Sequence, residues 1–260
     1  MIRKALLSAA VALVFAAPLQ AELKYTVRME LKKSATPVKA DPMMATIGGL
    51  VTQMMVPGGS VESTFTIGDR GIRVEWNKAM PGMPAGSVML QKPDGTAVVI
   101  NPAAKTYFKL SLDQLAQLQS GIKVAVTKTA QTAVIAGKKT EKYTFTIAMP
   151  LPGLAPGQAP AGMPTEITLE GDAFIAPEYK AYTAKTTKMA GLGGFGLERL
   201  AVEGLSMKQI LRSAIFSGDD LESTVTTVAE VTVPASQFEV PAGFKEVPPP
   251  GIGGPGGARE

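Results

Sequence analysis

The chain has 260 residues and a formal net charge of +4, and it contains no histidine and no cysteine. A chain of this length can bury a sizeable core without disulfides. The two missing residue types exclude the commonest general base, thiol nucleophiles and the usual zinc ligands. The small charge excess gives no electrostatic case for nucleic-acid binding.

The first 21 residues have the pattern of a secretory signal peptide. Arg3 and Lys4 give a positive start, an apolar run follows, and the small residue Ala21 ends the segment. The apolar run is too short to span a bilayer, so we expect cleavage after Ala21 and no stable membrane span afterwards. The mature chain is then periplasmic or secreted, without a lipid-bearing cysteine. Removing Arg3 and Lys4 from the 26 basic residues leaves 24 against 22 acidic ones, an excess of +2.

Most of the mature chain alternates between apolar and polar residues, which is the pattern of half-buried β-strands. The segment 23–32 alternates almost completely. The segment 96–110 reads as a β-branched apolar strand, an Asn-Pro turn and a second alternating strand, which predicts a hairpin. Similar patterns predict further strands over residues 60–67, 71–76, 87–91, 122–128, 132–135, 141–149, 166–169, 172–175, 179–184, 206–216 and 221–233.

One segment has helical spacing instead. Asp41 followed by Pro42 is a favoured N-cap and first helical position, and the apolar residues after it recur at helical intervals. Gly48 and Gly49 lie in the middle and lower the helix propensity. We therefore expect a weak, methionine-rich amphipathic helix over residues 41–56.

The predicted fold class is mainly β. Many short strands, two or three modest helices and no βαβ pattern favour a single, strongly curved antiparallel sheet with its helices packed on one face. We expect one domain over residues 22–247 and a disordered Pro/Gly-rich tail over 248–260. A short helix is expected over 111–119 and a flexible loop over 151–164. The glycine-rich segment 191–196 lacks the context of a phosphate loop and is interpreted as a hinge.

Three segments carry a resemblance to a known family. They are INPAAKTYFKL at Ile100 to Leu110, VIAGKKTEKYTF at 134–145, and FEVPAGFKEV at Phe238 to Val247. Together they resemble a family of secreted bacterial domains that is itself similar to the LolA/LolB-like half-barrels of the envelope, over most of residues 23–247. The resemblance implies a half-barrel with short helices in or over its concave face, enclosing an apolar cavity. In the better-known relatives that cavity accepts acyl chains of lipoproteins or other lipids.

The candidate site residues are apolar side chains. Flexible thioethers suit a surface that accepts varied apolar ligands, and a half-barrel would place the 41–56 helix as a lid over a cavity lined by strand aromatics. The residues predicted for the lid and the lining are Met43, Met44, Ile47, Leu50, Val51, Met54, Met55, Phe65, Trp76, Phe108 and Phe145; Met80, Met83 and Met89 are further candidates. The alternative is that all of them are core, since apolar residues at these spacings usually pack inside. Cu(I) binding by the thioethers is a weaker alternative, because no histidine or cysteine is present to join them.

The close carboxylate pairs are Glu170 with Asp172 and Asp219 with Asp220. Each pair adjoins a glycine, so the sequence places both in turns, where Asp forms local hydrogen bonds. A glycosidase needs two carboxylates across a cleft. We therefore do not expect catalysis from either pair.

The sequence predicts a non-catalytic, exported bacterial envelope protein that binds an apolar ligand, a lipid or acyl chain, in a half-barrel cavity and uses no cofactor. An envelope protein partner is a further expectation. The alternative from another class is a structural or protein-interaction module of the envelope whose core is filled. A hydrolase that uses carboxylates alone is a weaker third hypothesis.

Overall fold

A computed structural model describes residues 21–39, 42–80, 83–110, 121–150, 166–188 and 202–249. Within these ranges the strands are β1 (Glu22–Lys33), β2 (Ser60–Gly68), β3 (Gly71–Trp76), β4 (Val88–Gln91), β5 (Ala97–Asn101), β6 (Thr106–Leu110), β7 (Lys123–Ile135), β8 (Lys138–Pro150), β9 (Glu166–Ala176), β10 (Leu205–Arg212), β11 (Asp219–Val231) and β12 (Lys245–Glu246). The α-helices are α1 (Pro42–Met55) and α2 (Lys180–Lys188), and 3-10 turns cover Pro57–Gly59, Pro177–Tyr179, Ala214–Phe216 and Ala235–Phe238.

All twelve of these strands form one sheet, in the order β12-β6-β5-β4-β3-β2-β1-β11-β10-β9-β8-β7. Neighbours are antiparallel, except that the two-residue β12 is parallel to β6. The sheet is open and curled, and the helices are few and short. These features confirm the predicted fold class, a single curved antiparallel sheet that is consistent with a half-barrel.

The connection between β6 and β7 explains why the sheet curls. These strands are consecutive in the chain but ten strand positions apart in the sheet, a distance of about 48 Å if the sheet were flat. Twelve residues join them, from position 111 to 122, and so short a connection reaches about 45 Å only when fully stretched. The chain therefore requires the two sides of the sheet to approach each other.

Side-chain clustering identifies the concave face. Val61 of β2 and Phe145 of β8 belong to one buried cluster, although five strand spacings separate their strands. A face on which such distant strands meet is the inside of the curl. Both helices pack on this face, since Val51 and Met55 of α1 and Tyr182 of α2 contact its apolar clusters.

The convex side of β4 and β5 is covered by the C-terminal strap, which we define as residues 234–247. Val240 and Phe244 of the strap pack against the apolar side chains that these two strands turn outwards. The guanidinium of Arg70 lies 5.6 Å from the ring centre of Phe238, and Arg73 Nη1 donates to the Gln237 carbonyl at 2.9 Å. Because both of their faces are covered, β4 and β5 are continuous apolar runs and do not alternate.

Several predicted strands have other boundaries in the structure. Residues 122–128 and 132–135 belong to one strand, β7, whose pairing with β8 shifts between Lys128 and Thr132. Residues 166–169 and 172–175 form the single strand β9. The strand predicted over 206–216 ends at Arg212 and is followed by a 3-10 turn.

The strand predicted over residues 179–184 was wrong. Pro177 begins a 3-10 turn that leads directly into α2. Tyr179 and Tyr182 both pack against the same buried cluster, and side chains three positions apart share a face only in a helix. The spacing of the two tyrosines was therefore the helical signal in this segment.

The remaining predictions for the signal segment, the helix over 111–119, the loop over 151–164, the hinge over 191–196 and the distal tail lie outside the described residues. No helix in the described part of the chain is long and apolar enough to cross a bilayer.

Candidate functional site

A row of apolar side chains crosses the concave face from β1 to β6, perpendicular to the strands. The antiparallel registers place each member opposite the next, strand by strand. The row consists of Tyr25, Phe65, Val74, Met89, Val99 and Phe108. Its five strand spacings amount to about 24 Å along the sheet. The row is therefore long enough to support an extended ligand.

The middle of this row is buried, whereas its larger neighbours are only half-buried. Val74, Met89 and Val99 are 3–4% exposed, while Tyr25 and Phe65 keep part of their surface accessible. The rings of Tyr25 and Phe65 are stacked, with centroids 5.0 Å apart. We name the whole cluster the aromatic face; its buried floor is Ile67, Ile72, Val74, Met89 and Val99, and its half-buried members are Tyr25, Phe65, Trp76, Met83, Phe108, Leu110 and Tyr182.

The aromatic face has neutral polar neighbours and no charged ones on the strands that form most of it. Ser63 is paired with Trp76, and Asn101 with Thr106, so these four side chains point to the concave side in the next row. The charged residues of β2, β3 and β6 alternate to the convex side. They are Glu62, Arg73, Glu75 and Lys109. The concave side of β2 to β6 therefore offers apolar contact and uncharged hydrogen-bonding groups.

A second cluster on the concave face has a larger buried centre, and half-buried apolar side chains pack around it. We name it the α1 core, since α1 and the 3-10 turn before β11 cover it. Its buried members are Val56, Val61, Phe145, Ile147, Ile167, Leu169, Ala173, Ile175, Leu211, Ile215, Phe216 and Leu221. All are below 9% exposure, and Phe145 is 3% exposed. This part of the concave face is filled by the protein's own side chains.

Gly48 explains how α1 lies so close to the sheet. A Cβ at Gly48 would lie 1.9 Å from the backbone oxygen of Ile215, whereas a Cβ at Gly49 would meet nothing within 4 Å. Only glycine permits such an approach of two backbones. Gly48, one of the two glycines that weaken the isolated helix, therefore lets it dock, and the middle of α1 is held against the Ala214–Phe216 turn.

The structure divides the predicted site residues between these two clusters. Phe65, Trp76 and Phe108 belong to the aromatic face together with Met83 and Met89. Phe145, Val51, Met55 and Met80 belong to the α1 core or pack against it. The remaining predicted residues are part of α1, but their side chains lie outside what the structure describes; they are Met43, Met44, Ile47, Leu50 and Met54.

Sequence reasoning missed three half-buried members of the aromatic face, Tyr25, Leu110 and Tyr182, besides four residues of its buried floor. The alternation in β1 and β6 placed Tyr25 and Leu110 on the apolar face of their strands. It could not indicate which residues of that face remain accessible to solvent. Tyr182 was missed because its segment was interpreted as a strand. Burial raises the pKa of Tyr182, and the nearby Glu230 carboxylate raises it further.

The carboxylate pairs lie on the convex face or at its edge, away from the aromatic face. The turn predicted for Glu170 and Asp172 was wrong, because β9 runs through both. Asp172 accepts from Arg212 Nη2 at 2.8 Å and lies 3.2 Å from Lys142 Nζ. Burial alone would raise the pKa of Asp172, but these two cations outweigh it and hold the pKa below its ordinary value. The turn predicted for Asp219 and Asp220 was also wrong, because both belong to β11. Asp219 pairs with Lys33.

Glu222 occupies a similar position on the convex face of β11. Lys208 and Lys32 bind its two carboxylate oxygens, at 2.9 and 2.5 Å. Burial would raise the pKa of Glu222, yet the hydrogen bonds from the two lysines lower it. These carboxylates are structural ion-pair partners. In the described ranges no group of three or more acidic side chains could hold a metal ion.

Comparison with known proteins does not assign the chain to a family. No family model matches the chain, and no curated protein matches it significantly. Among solved structures, the chain is similar to a LolA superfamily protein from Nitrosomonas europaea, with 11% sequence identity and a TM-score of 0.31 over 85% of this chain and 91% of that one. At that TM-score the overlap adds nothing to what the sheet topology itself shows.

Proposed function

We propose that this chain is a non-catalytic, exported protein of the bacterial envelope that binds an apolar ligand, a lipid or an acyl chain, on the aromatic face. The observation that carries the proposal is the incomplete burial of large rings on the inside of a curled sheet. Phe65, Trp76 and Phe108 remain half-buried, although they point towards the interior. Contiguous apolar surface in a concavity is typical of a ligand site.

The energetics of burial support this proposal. Removing apolar surface from water is favourable by about 25 cal/mol per Å². The buried members of the α1 core achieve this, whereas Phe65, Trp76 and Phe108 on the aromatic face do so only in part. A ligand that covers the aromatic rings would gain the remaining hydrophobic free energy. Stacked and half-buried rings also need little reorganisation to receive it, because two-χ side chains lose little entropy on binding.

In this proposal α1 closes one end of the ligand site. Val51 and Met55 are half-buried members of the helix that pack on the α1 core. The contact of Gly48 with Ile215 fixes the middle of α1. If the ligand site opens at this end, α1 and the Ala214–Phe216 turn therefore move together. The other predicted lid residues belong to the same helix and share this role.

Export is the second part of the proposal and is supported by the signal-like start and by Glu22. The Glu22 side chain, which would follow the predicted cleavage point, is 2% exposed in its ion pair with Arg70. Its Oε2 accepts from the Val233 amide at 3.3 Å. The folded domain therefore uses the first residue of the predicted mature chain. The intact mass of the protein recovered from the periplasm or medium tests whether it begins at Glu22.

Ligand binding can be measured with an internal reporter, because Trp76 is the only tryptophan and belongs to the aromatic face. The mature protein is titrated with N-phenyl-1-naphthylamine, a neutral apolar fluorophore. We expect saturable probe fluorescence together with a change in Trp76 emission. Native mass spectrometry of the freshly purified protein should show bound lipid. A clean ligand-free mass with no probe uptake would contradict the proposal.

A matched pair of variants locates the site. Phe65→Asp adds a charge to the aromatic face, and Thr64→Asp adds the same charge to the convex side of the same strand. We expect Phe65→Asp to abolish probe binding and Thr64→Asp to retain it, with folding of each checked by circular dichroism. Equal binding by both variants would place the probe elsewhere.

The alternative is a structural or protein-interaction module of the envelope with a filled core. The buried members of the α1 core favour it over that part of the sheet. The titration separates the two functions, since a filled module takes up neither lipid nor probe.

A further inference from the structure

The charge distribution around the aromatic face indicates which class of ligand fits it. In the described part of β2 to β6 every charged side chain is on the convex side, as the alternation requires. The concave rows of these strands contain only apolar residues and the neutral groups Ser63, Gln91, Asn101 and Thr106, besides the indole N–H of Trp76. A ligand that lies along these rows meets neither a cation nor an anion on the strands.

Charged groups do occur where β1, β11 and α2 border the face, but they are engaged or negative. Lys185 on α2 binds Asp69 Oδ1 at 2.5 Å and lies over the ring of Tyr182. Glu230 is opposite Leu23, which places its carboxylate on the concave side, close enough to Tyr182 to raise the pKa of that phenol. Among the described side chains next to Tyr182 at this border, Lys185 is paired and Glu230 is negative.

On the opposite side of the concave face, Lys128 is engaged in a similar way. Lys128 of β7 binds Glu141 of β8 at 2.7 Å, and Tyr143 donates to the same carboxylate at 3.2 Å. The Lys128 ammonium also lies 5.8 Å from the centre of the Tyr143 ring. This lysine is therefore satisfied by groups of the protein itself.

We infer that the ligand of the aromatic face is a neutral amphiphile, such as a long-chain alcohol or ester, and not an ionised fatty acid or a phospholipid headgroup. This inference rests on the proposed function. An ionised carboxylate or phosphate placed on the face would lose water without gaining a partner, which is strongly unfavourable. A hydroxyl or ester oxygen can instead exchange hydrogen bonds with Ser63, Thr106 or the Trp76 indole, which are neutral donors.

The two ligand classes can be compared with molecules of equal chain length. 1-Dodecanol and dodecanoate, each below its aggregation concentration, compete with N-phenyl-1-naphthylamine for the mature protein at pH 8.5. We expect the alcohol to bind at least tenfold more tightly. We also expect the difference to shrink as the pH is lowered towards the carboxyl pKa, because the neutral acid then resembles the alcohol.

The possible outcomes distinguish a failure of the neutral-ligand inference from a failure of the proposed function. Equal or tighter binding of dodecanoate at pH 8.5, with the probe and the alcohol also bound, would overturn the neutral-ligand inference and leave the proposed function standing. If neither amphiphile nor the probe binds, the proposed function itself fails.

A gain of function gives the sharpest form of the test. Ser63→Lys places an ammonium beside the aromatic face, and Thr64→Lys places the same group on the convex side. We expect Ser63→Lys to strengthen dodecanoate binding at least tenfold, while Thr64→Lys leaves it unchanged. Thr106→Lys, at the start of β6, serves if the first variant does not fold. A folded lysine variant on the concave row with no gain for dodecanoate would contradict the inference.

Discussion

The two clusters on the concave face come from the same kind of sequence pattern, an alternating strand, but they differ in how far their aromatic side chains are buried. Phe145 in the α1 core and Phe65 on the aromatic face are both aromatic residues in alternating strands, yet Phe145 is 3% exposed and Phe65 is only half-buried. The difference lies in what covers them, because α1 and the Ala214–Phe216 turn pack over the first cluster. Alternation thus selects a face, while coverage decides how completely that face is buried.

Removing the largest ring of the α1 core should have the largest effect on stability. We expect Phe145→Ala to lower the free energy of unfolding by about 3–5 kcal/mol, because it leaves a cavity in a fully packed cluster. Urea denaturation of the mature protein measures this. Phe65→Ala is the matched variant and should cost clearly less. Equal costs would mean that both clusters are core.

The docking of α1 can be broken with a single methyl group. Gly48→Ala places a Cβ against the Ile215 backbone oxygen, and we expect it to cost about 1–3 kcal/mol, as overpacking does. Gly49→Ala is the control, because its methyl group meets nothing. That variant should gain about 0.5–1 kcal/mol from higher helix propensity. Thermal unfolding of the pair measures the difference, and similar stability of both would contradict the described contact.

The ion pairs on the convex face predict a dependence of stability on pH. The pKa of Asp172 is lower in the folded protein than its ordinary value of 3.8. The unfolded chain therefore takes up this proton first as the pH falls. The stabilisation is complete at neutral pH and is lost as the pH falls below 3.8 through the depressed folded pKa.

Asp172→Asn tests this dependence. It removes the charge that Arg212 and Lys142 bind, so we expect a loss of about 1–3 kcal/mol at pH 7 that shrinks as the pH falls below 3.8. Urea midpoints for the variant and the wild type across this range measure it. A constant difference at all pH values would mean that packing of the side chain matters more than its charge.

The smallest effect on stability, and a clear one on binding, is expected at the outer end of the apolar row. Phe108 is half-buried on β6, so Phe108→Ala should cost only about 1 kcal/mol, below the range for fully buried rings. Its probe affinity should fall about tenfold, since one wall of the proposed site is lost. Lys109→Ala, on the convex side of the same strand, is the control. A large loss of stability without a change in affinity would assign Phe108 to the core.

The sequence was sufficient for the type of fold and for most strands. Period-two alternation identifies β1 to β3 and β6, because each has one face against the interior, and the Asn-Pro turn indicates the hairpin of β6 with β5. The convex cover of β4 and β5 could not be predicted, since their continuous apolar runs show that both faces are buried but not what buries them. Tyr182 was not predicted as a site residue, because the segment that forms α2 was interpreted as a strand. This helix has so few apolar positions that its pattern also fits a weak strand.

The candidate site was predictable only in part for a related reason. The types of residue were correct, since Phe65, Trp76 and Phe108 lie together on the concave face. Their separation from Phe145 depends on a contact between Gly48 and Ile215, which are far apart in the chain. No local pattern encodes such a contact. The sequence could therefore indicate which side chains face inwards, but not which of them the protein itself covers.

The position of β1 in the sheet has a consequence for how the chain folds. The described strands form two meanders, β1 to β6 and β7 to β11, and a single seam between β1 and β11 joins them. The Lys32–Glu222 ion pair across that seam links residues 190 positions apart. Contacts of such long range are slow to form, because the closing of large loops comes before the energetic gain. One edge of β1 therefore stays unpaired until β11, near the other end of the described chain, is present.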